Sequence, residues 1–303
     1  MSAGNSSPLR AILYAFSANL LISLAKTATA VLTQSTSILA EALHSYADTG
    51  NQLLLLLGLY RSRRVADREH PLGYGKVSYF WSFVVATLLF SVGGLFSLYQ
   101  GWQKFGDEGA VERVELAVAV LGFSLLLEAW SMRGCLVEVN KVRGDRSLWR
   151  WLNESRSSEL VVVFGEDLAA LLGLTFALGF VLLAHVTGDH RFDAIGSMAI
   201  GALLVVIAVF LAARIKALLI GRSADPDVVA AIERAIADDP AIEEVFNVIT
   251  LQVGSRLMVA AKVRLPGELA LEVACEHLNR LEVRLKQEIP EIGWSFMEPD
   301  IDD

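Results

Sequence analysis

The chain has 303 residues, 54% of them hydrophobic and 20% charged, with a formal net charge of −8. Its mean hydropathy of +0.48 excludes an all-soluble protein, in which apolar residues make up only about 45–50%, and the acidic balance argues against nucleic acid as a partner. Only two cysteines occur, Cys135 and Cys275, too few for a disulfide framework and in keeping with a reducing cytoplasmic face.

The opening stretch MSAGNSSPLR has neither a small-residue cleavage site nor an Arg/Ser-rich transit pattern, so the first apolar run is expected to stay in the mature protein. Six runs of membrane-crossing length follow, at residues 11–33, 38–60, 78–101, 114–133, 159–186 and 193–213. A helix needs about 20 apolar residues to cross about 30 Å of hydrocarbon. The loop after the second run carries Arg61, Arg63, Arg64, Arg68 and Lys76, and a second basic loop runs from Arg133 to Arg156. The positive-inside rule makes both cytoplasmic. TQSTS, WQKFGDEGAVER and HVTGDHRF are poor in net positive charge and are expected to face outward. The six-span reading leaves both termini in the cytoplasm.

Residues 1–221 therefore read as a transmembrane domain and 222–303 as a soluble cytoplasmic one. In the latter, DPDVVAAIERAIADDP has Asp and Pro at a helix start, and EVFNVITLQVG and RLMVAAKVRLP read as a hairpin joined at GSR. LALEVACEHLNRLEVRLKQEI reads as an amphipathic helix, and GWSFMEPD as a closing strand. The predicted order is αββαβ, a small open sheet with helices on one face.

Ionisable residues inside apolar spans cost about 2.5–3.5 kcal/mol each on insertion scales and mark pathways or sites. Span 2 holds Glu41, His44 and Asp48. At 100° per residue these lie within about 60° of one another, with Asn51 nearby. Entering from outside near residue 37, the helix carries His44 and Asp48 to depths of about 11 and 17 Å, while Asp167, on span 5 from the inside, lies about 13 Å deep. An imidazole and two carboxylates meeting at mid-membrane suit a divalent cation, imidazole favouring zinc and carboxylates favouring manganese or iron. Glu166 and Asp167 are neighbours and cannot share a helix face, so one of them is expected to find a partner on another helix. Glu41 reads as ligand or as support for the ligands. Glu128 reads as a proton relay or a partner for Lys26. Gly93, Gly94, Gly173, Gly196 and Gly201 offer small surfaces for close packing, or mere helix flexibility.

TQSTSILAEALHSYADTGNQ, followed by HPLGYGKVSYFWSFVVATLLFSVGGLFSLYQG, resembles the cation diffusion facilitator family, and the likeness extends over nearly the whole chain. The resemblance implies a homodimer in the lipid bilayer that exports Zn²⁺ or a related divalent ion in exchange for protons. It also implies a metallochaperone-like (ferredoxin-like) tail and a tetrahedral metal site on helices 2 and 5. His44 and Asp48 match the helix 2 half of that site and Asp167 the acidic member on helix 5. Where many members carry a helix 5 His, this chain has Val163, and it resembles the branch with a Glu-Asp pair there, which leaves Glu166, Glu41 or water for the fourth ligand. Asp67 and His70 match a loop metal site of some members, but Tyr74 stands where a second His would be, favouring a structural role. His277 and Cys275 lie on a tail helix, so a binuclear tail site is not expected and dimerisation rests on packing.

The expected function is a divalent metal efflux transporter working by alternating access, with zinc as cargo and no resident cofactor. Mn²⁺, Fe²⁺ or Co²⁺ are alternative cargoes, and a membrane-tethered metal sensor is a further alternative. A metalloenzyme is not expected, since no HExxH motif occurs. The expected location is the inner (plasma) membrane of a cell, multi-pass.

Overall fold

The computed structural model describes residues 8–33, 36–105, 114–189 and 191–302, and the side chains of residues 33, 36–38, 40, 41, 43 and 44 lie outside that description. The chain is mostly helical with a small C-terminal sheet. Its helices are α1 (Pro8–Thr33), α2 (Thr36–Ser62), α3 (Val77–Leu88), α4 (Phe96–Lys104), α5 (Val114–Arg143), α6 (Leu148–Glu154), α7 (Ser158–Thr187), α8 (Arg191–Ile220), α9 (Pro226–Ala237) and α10 (Leu271–Glu288). A π-helical turn, Leu89–Leu95, joins α3 to α4.

Among the described residues, five helical stretches are long and apolar enough to cross a membrane: Pro8–Leu32, Val77–Lys104, Val114–Arg143, Ser158–Thr187 and Arg191–Ile220. The expected second span, α2, is 27 residues long, yet its polar residues around Asp48–Gln52 keep it out of that group. Two features go beyond the sequence reading. Helix α5 runs ten residues past the predicted end at 133, to Arg143, and the third run is interrupted by the π turn at the tandem Gly93-Gly94. Glycine is a weak helix former, and π turns occur mostly as local bulges, often at functional sites.

Two compact units divide the chain. The first contains α1, α2 as far as Arg61, Ser78–Asn153 and Ser158–Lys216. Within it α1, α5 and α7 pack on one another, and close approaches are made at glycine. A Cβ on Gly134 would lie 2.5 Å from the Tyr14 ring, and one on Gly58 would lie 2.8 Å from Trp81 Cβ. Helix α8 meets the third run backbone to backbone: a Cβ on Gly201 would come within 2.7 Å of Leu98 N and 2.9 Å of Gly94 O, and one on Gly101 within 2.8 Å of Met198 N. Lys104 Nζ closes one end of this helix pair, 2.8 Å from Asp193 Oδ2 and 3.1 Å from Ser197 Oγ.

The second unit joins Ala217–Asp303 with two segments from earlier in the chain, Ser62–Val77 and Glu154–Ser157. Its later part runs α9, β1 (Glu244–Val253), β2 (Arg256–Arg264), α10, β3 (Ile292–Pro299), the αββαβ order. Asp225 caps α9 by accepting from Asp227 N, with Pro226 in the first turn, the start expected of that sequence. Strands β1 and β2 pair antiparallel and β3 adds parallel to β2. Leu257, Val259, Ala261 and Val263 alternate along β2 into a core shared with Ile232, Ile236, Leu278, Leu281 and Leu285 of the two helices, the period-two pattern of a half-buried strand.

Segment Ser62–Val77 is ordered by a carboxylate. Asp67 accepts from Tyr74 Oη at 2.7 Å and from the backbone N–H groups of His70 and Glu69 at 2.8 and 3.1 Å. The Tyr74 hydroxyl, followed by the His70 amide, holds the Asp67 carboxyl below its ordinary range, so this lock is complete at neutral pH and loosens only in strong acid. The His70 ring stacks on Tyr74 with centroids 4.3 Å apart, and Arg64 lies 4.6 Å over the Tyr74 ring. With Asp67 committed in this way, the loop residues for which Tyr74, in place of a second His, favours a structural role form a folded turn. The turn then docks on the β1–β2 hairpin: a Cβ on Gly75 would lie 2.6 Å from Val253 O. Gly254, at φ +62°, faces it with only 2.7 Å between its notional Cβ and Gly75 Cα, a backbone conformation and a proximity that glycine alone meets without strain. Arg156 ties the other segment down, donating to the carbonyls of Ser223 and Ala224, each at 2.8 Å, and to that of Glu154.

Candidate functional site

Helix α7 carries Glu166 and Asp167 side by side, 5% and 1% exposed. A step of 100° along the helix turns them to different neighbours. Glu166 faces α2, where Asn51 Nδ2 donates to its Oε1 at 3.1 Å and Gln52 Nε2 to its Oε2 at 2.6 Å. Asp167 faces α5, where Ser131 Oγ donates to its Oδ2 at 3.0 Å. The sequence expectation that one of the pair would find a partner on another helix understated the outcome, because both do.

Asp48 is half-buried, one turn before Asn51. It lines a cavity of about 320 Å³ together with Asn51, Gly50 and Leu54 of α2, and with Leu88, Leu89, Val92 and Gly93 at the π turn. Asp48 lies in electrostatic range of Glu166 and of Glu128, and Glu128 is also in range of Asp167 and of Lys26. Glu128 of α5 is 4% exposed and Lys26 of α1 is 8% exposed. Four carboxylates from three helices, with one ammonium, therefore share a small buried region. So much like charge in a low-dielectric interior is costly unless a cation or protons offset it, and that makes the region chemically suited to take up a divalent cation, protons, or each in turn.

His44 and Glu41 lie on α2, but their side chains are outside the described residues. Among the described residues no three His, Cys, Asp or Glu side chains gather closely enough to hold an ion. Gln52 and Ser131 were missed by the sequence reading. Their signal was periodicity: Gln52 follows Asp48 by four residues and Ser131 follows Glu128 by three, the spacing that puts side chains on one helix face. In the second unit, Cys275 is exposed and His277 Nδ1 lies 3.2 Å from Arg280 Nη2.

Residues 12–219 match the family model of the cation efflux transmembrane domain. The chain belongs to the cation diffusion facilitator family. This facilitator is 33% identical over 261 residues to the proton-coupled zinc antiporter SLC30A9, mitochondrial, of Xenopus laevis, covering 84% of the chain and 46% of that relative. It is 30% identical over 250 residues to metal tolerance protein C4 of Arabidopsis thaliana, covering 81% and 54%. The chain thus spans about half the length of these relatives. Magnetosome protein MamB of Magnetospirillum gryphiswaldense is 24% identical over 281 residues, 91% of the chain and 88% of that protein. The family match and the apolar helices make this facilitator a multi-pass membrane protein.

Proposed function

We propose that this facilitator is a divalent-cation transporter that exchanges metal for protons, with Zn²⁺ as its principal cargo, and that it is not an enzyme. The observation that carries the reading is the buried meeting of α2, α5 and α7, where the amides of Asn51 and Gln52 on α2 hold Glu166 of α7, itself in electrostatic range of Asp48 and Glu128. The relatives whose names specify a proton-coupled zinc antiporter and a metal tolerance protein support it. In this reading His44, Asp48 and Asp167 hold the ion, Glu41 supports His44 from the preceding turn, and Glu128 takes up protons beside them. Metal ligands must shed protons to coordinate. A cavity open to the cytoplasm would load the metal, and protons arriving from the other side would displace it once the bundle has rocked. The cavity beside Asp48, walled by the π turn, supports access from that flank. Because carboxylates outnumber imidazoles in the region, Mn²⁺ or Fe²⁺ is the second choice of cargo.

The reading further takes α2 as a sixth span, both termini as cytoplasmic, the inner (plasma) membrane as location, and the tail as a ferredoxin-like domain through which two copies pair. Support for pairing comes from the sheet face opposite the core. There Ile249, Ala260 and Phe296 stand in register across the three strands, with Ile249 and Phe296 56% and 57% exposed. Phe296→Asp is expected to shift the detergent-solubilised protein from dimer to monomer in light scattering; an unchanged mass would remove this face from consideration. The function itself is tested in proteoliposomes loaded with a metal-sensitive and a pH-sensitive dye. Zn²⁺ added outside should enter as protons leave, with Mn²⁺, Fe²⁺ and Co²⁺ ranked against it. Metal entry without proton movement would refute the exchange, and no entry of any of the four would refute transport.

A further inference from the structure

Gln52 has no exposed surface. Its Nε2 donates to Glu166 Oε2 at 2.6 Å, while among the described residues its own Oε1 has no hydrogen-bond partner. Asn51, 5% exposed, engages the other oxygen of Glu166 at 3.1 Å. We propose that Asn51, Gln52 and Glu166 form a latch that fixes α2 to α7 and sets the spacing between the two halves of the ion site, with Glu166 a positioning residue and not an ion ligand. The inference rests on the transport reading above and assigns a role within that site.

Three observations carry it. Both oxygens of Glu166 are met by N–H groups, whose positive ends occupy two of the directions from which a cation would approach. An ion that pulled Glu166 away would leave two buried amides without their acceptor, the costly way to lose a hydrogen bond. Finally, Asn51 and Gln52 follow Asp48 by three and four residues, so whatever clamps them to α7 fixes Asp48 relative to Asp167 as well. A carboxyl group offers one acceptor oxygen to each of the two amides, which suits it to the acceptor side of such a clamp.

The orphaned Gln52 oxygen supplies the test. A glutamine at 166 accepts from Asn51 and, once the Gln52 amide turns over to present its Oε1, donates its own N–H group to that oxygen, keeping the latch while removing the carboxyl group. Zinc uptake is measured in proteoliposomes, and zinc binding by titration calorimetry in detergent, for the wild type, Glu166→Gln, Glu166→Ala and Gln52→Ala, with Asp48→Ala as the ligand control. Glu166→Gln should hold its KM and Kd for zinc within about threefold of the wild type, since a contact to each amide of α2 is kept. Glu166→Ala and Gln52→Ala should raise both by about tenfold or more, the usual cost of losing support behind a metal ligand. Glu166→Gln as impaired as Glu166→Ala would overturn the latch, because the carboxyl group itself would then be what matters. Gln52→Ala with wild-type KM would also overturn it, and decides the question if Glu166→Ala does not fold. A wild type that binds and moves no zinc refutes the transport reading instead, so the two failures are distinct.

Discussion

Alanine at Asp48 or at Asp167 is expected to lower metal uptake into proteoliposomes by about 100-fold or more, since even supporting groups behind a metal ligand are worth about 10–100-fold. Both positions lie where a lost carboxylate cannot be replaced cheaply: Asp167 is 1% exposed and bonded to Ser131, and Asp48 lines the cavity at the π turn. The loss should be greatest at the acid end of the pH range, where protons compete for the ligands that remain. Asp48→Ala removes like charge from a region also holding Glu128 and Glu166, and unfolding followed by intrinsic fluorescence should show a melting temperature no lower than that of the wild type. Asp167→Ala also takes the acceptor from the buried Ser131 hydroxyl and should melt lower. If both single variants carried zinc at the wild-type rate, the ion would have to pass elsewhere.

Leucine at Gly201 is expected to cost about 3 kcal/mol or more, at or beyond the upper end of ordinary overpacking penalties. The reason lies in what the new side chain would meet. Its Cβ would stand 2.7 Å from Leu98 N and 2.9 Å from Gly94 O, backbone atoms that cannot rotate away as the end of a flexible side chain would. Helix α8 would have to separate from the π turn and α4. Gly122→Ala is the matched control, for a Cβ there meets nothing within 4 Å, and alanine is the better helix former by about 1 kcal/mol. Thermal unfolding in detergent should therefore show a lower melting temperature for Gly201→Leu and an equal or higher one for Gly122→Ala. Equal melting of Gly201→Leu and wild type would mean that this helix pair is not tightly packed.

The same pair of glycines shows how far sequence reading reaches. Gly94 and Gly201 stand out as small residues in apolar runs, with close packing and mere flexibility equally available as explanations. Only the approach of two backbones distinguishes them, and Gly173, whose notional Cβ meets nothing nearer than Ile200 Cγ2 at 3.5 Å, falls on the other side. The tail's element order was legible for a local reason: alternation along β2 and the Asp-Pro start of α9 are encoded within a few residues. The attachment of Ser62–Val77 to that tail was not, because it depends on Gly75 meeting Gly254, positions far apart in the chain. The π turn was likewise hidden, since a single extra residue in a helical turn leaves the apolar pattern almost unchanged.

What the sequence determined by itself was membrane character and the presence of acidic groups in apolar helices, properties that composition and short-range periodicity carry, while the family showed only through the resemblance of longer stretches. What the tertiary structure decided was the direction in which each of those groups is spent. Glu166 and Asp167 are adjacent in the chain, but helix geometry sets their side chains 100° apart, and the helices standing at those two angles are placed by packing among distant segments. Thus Glu166 meets the amides of α2, and Asp167 meets the hydroxyl of α5.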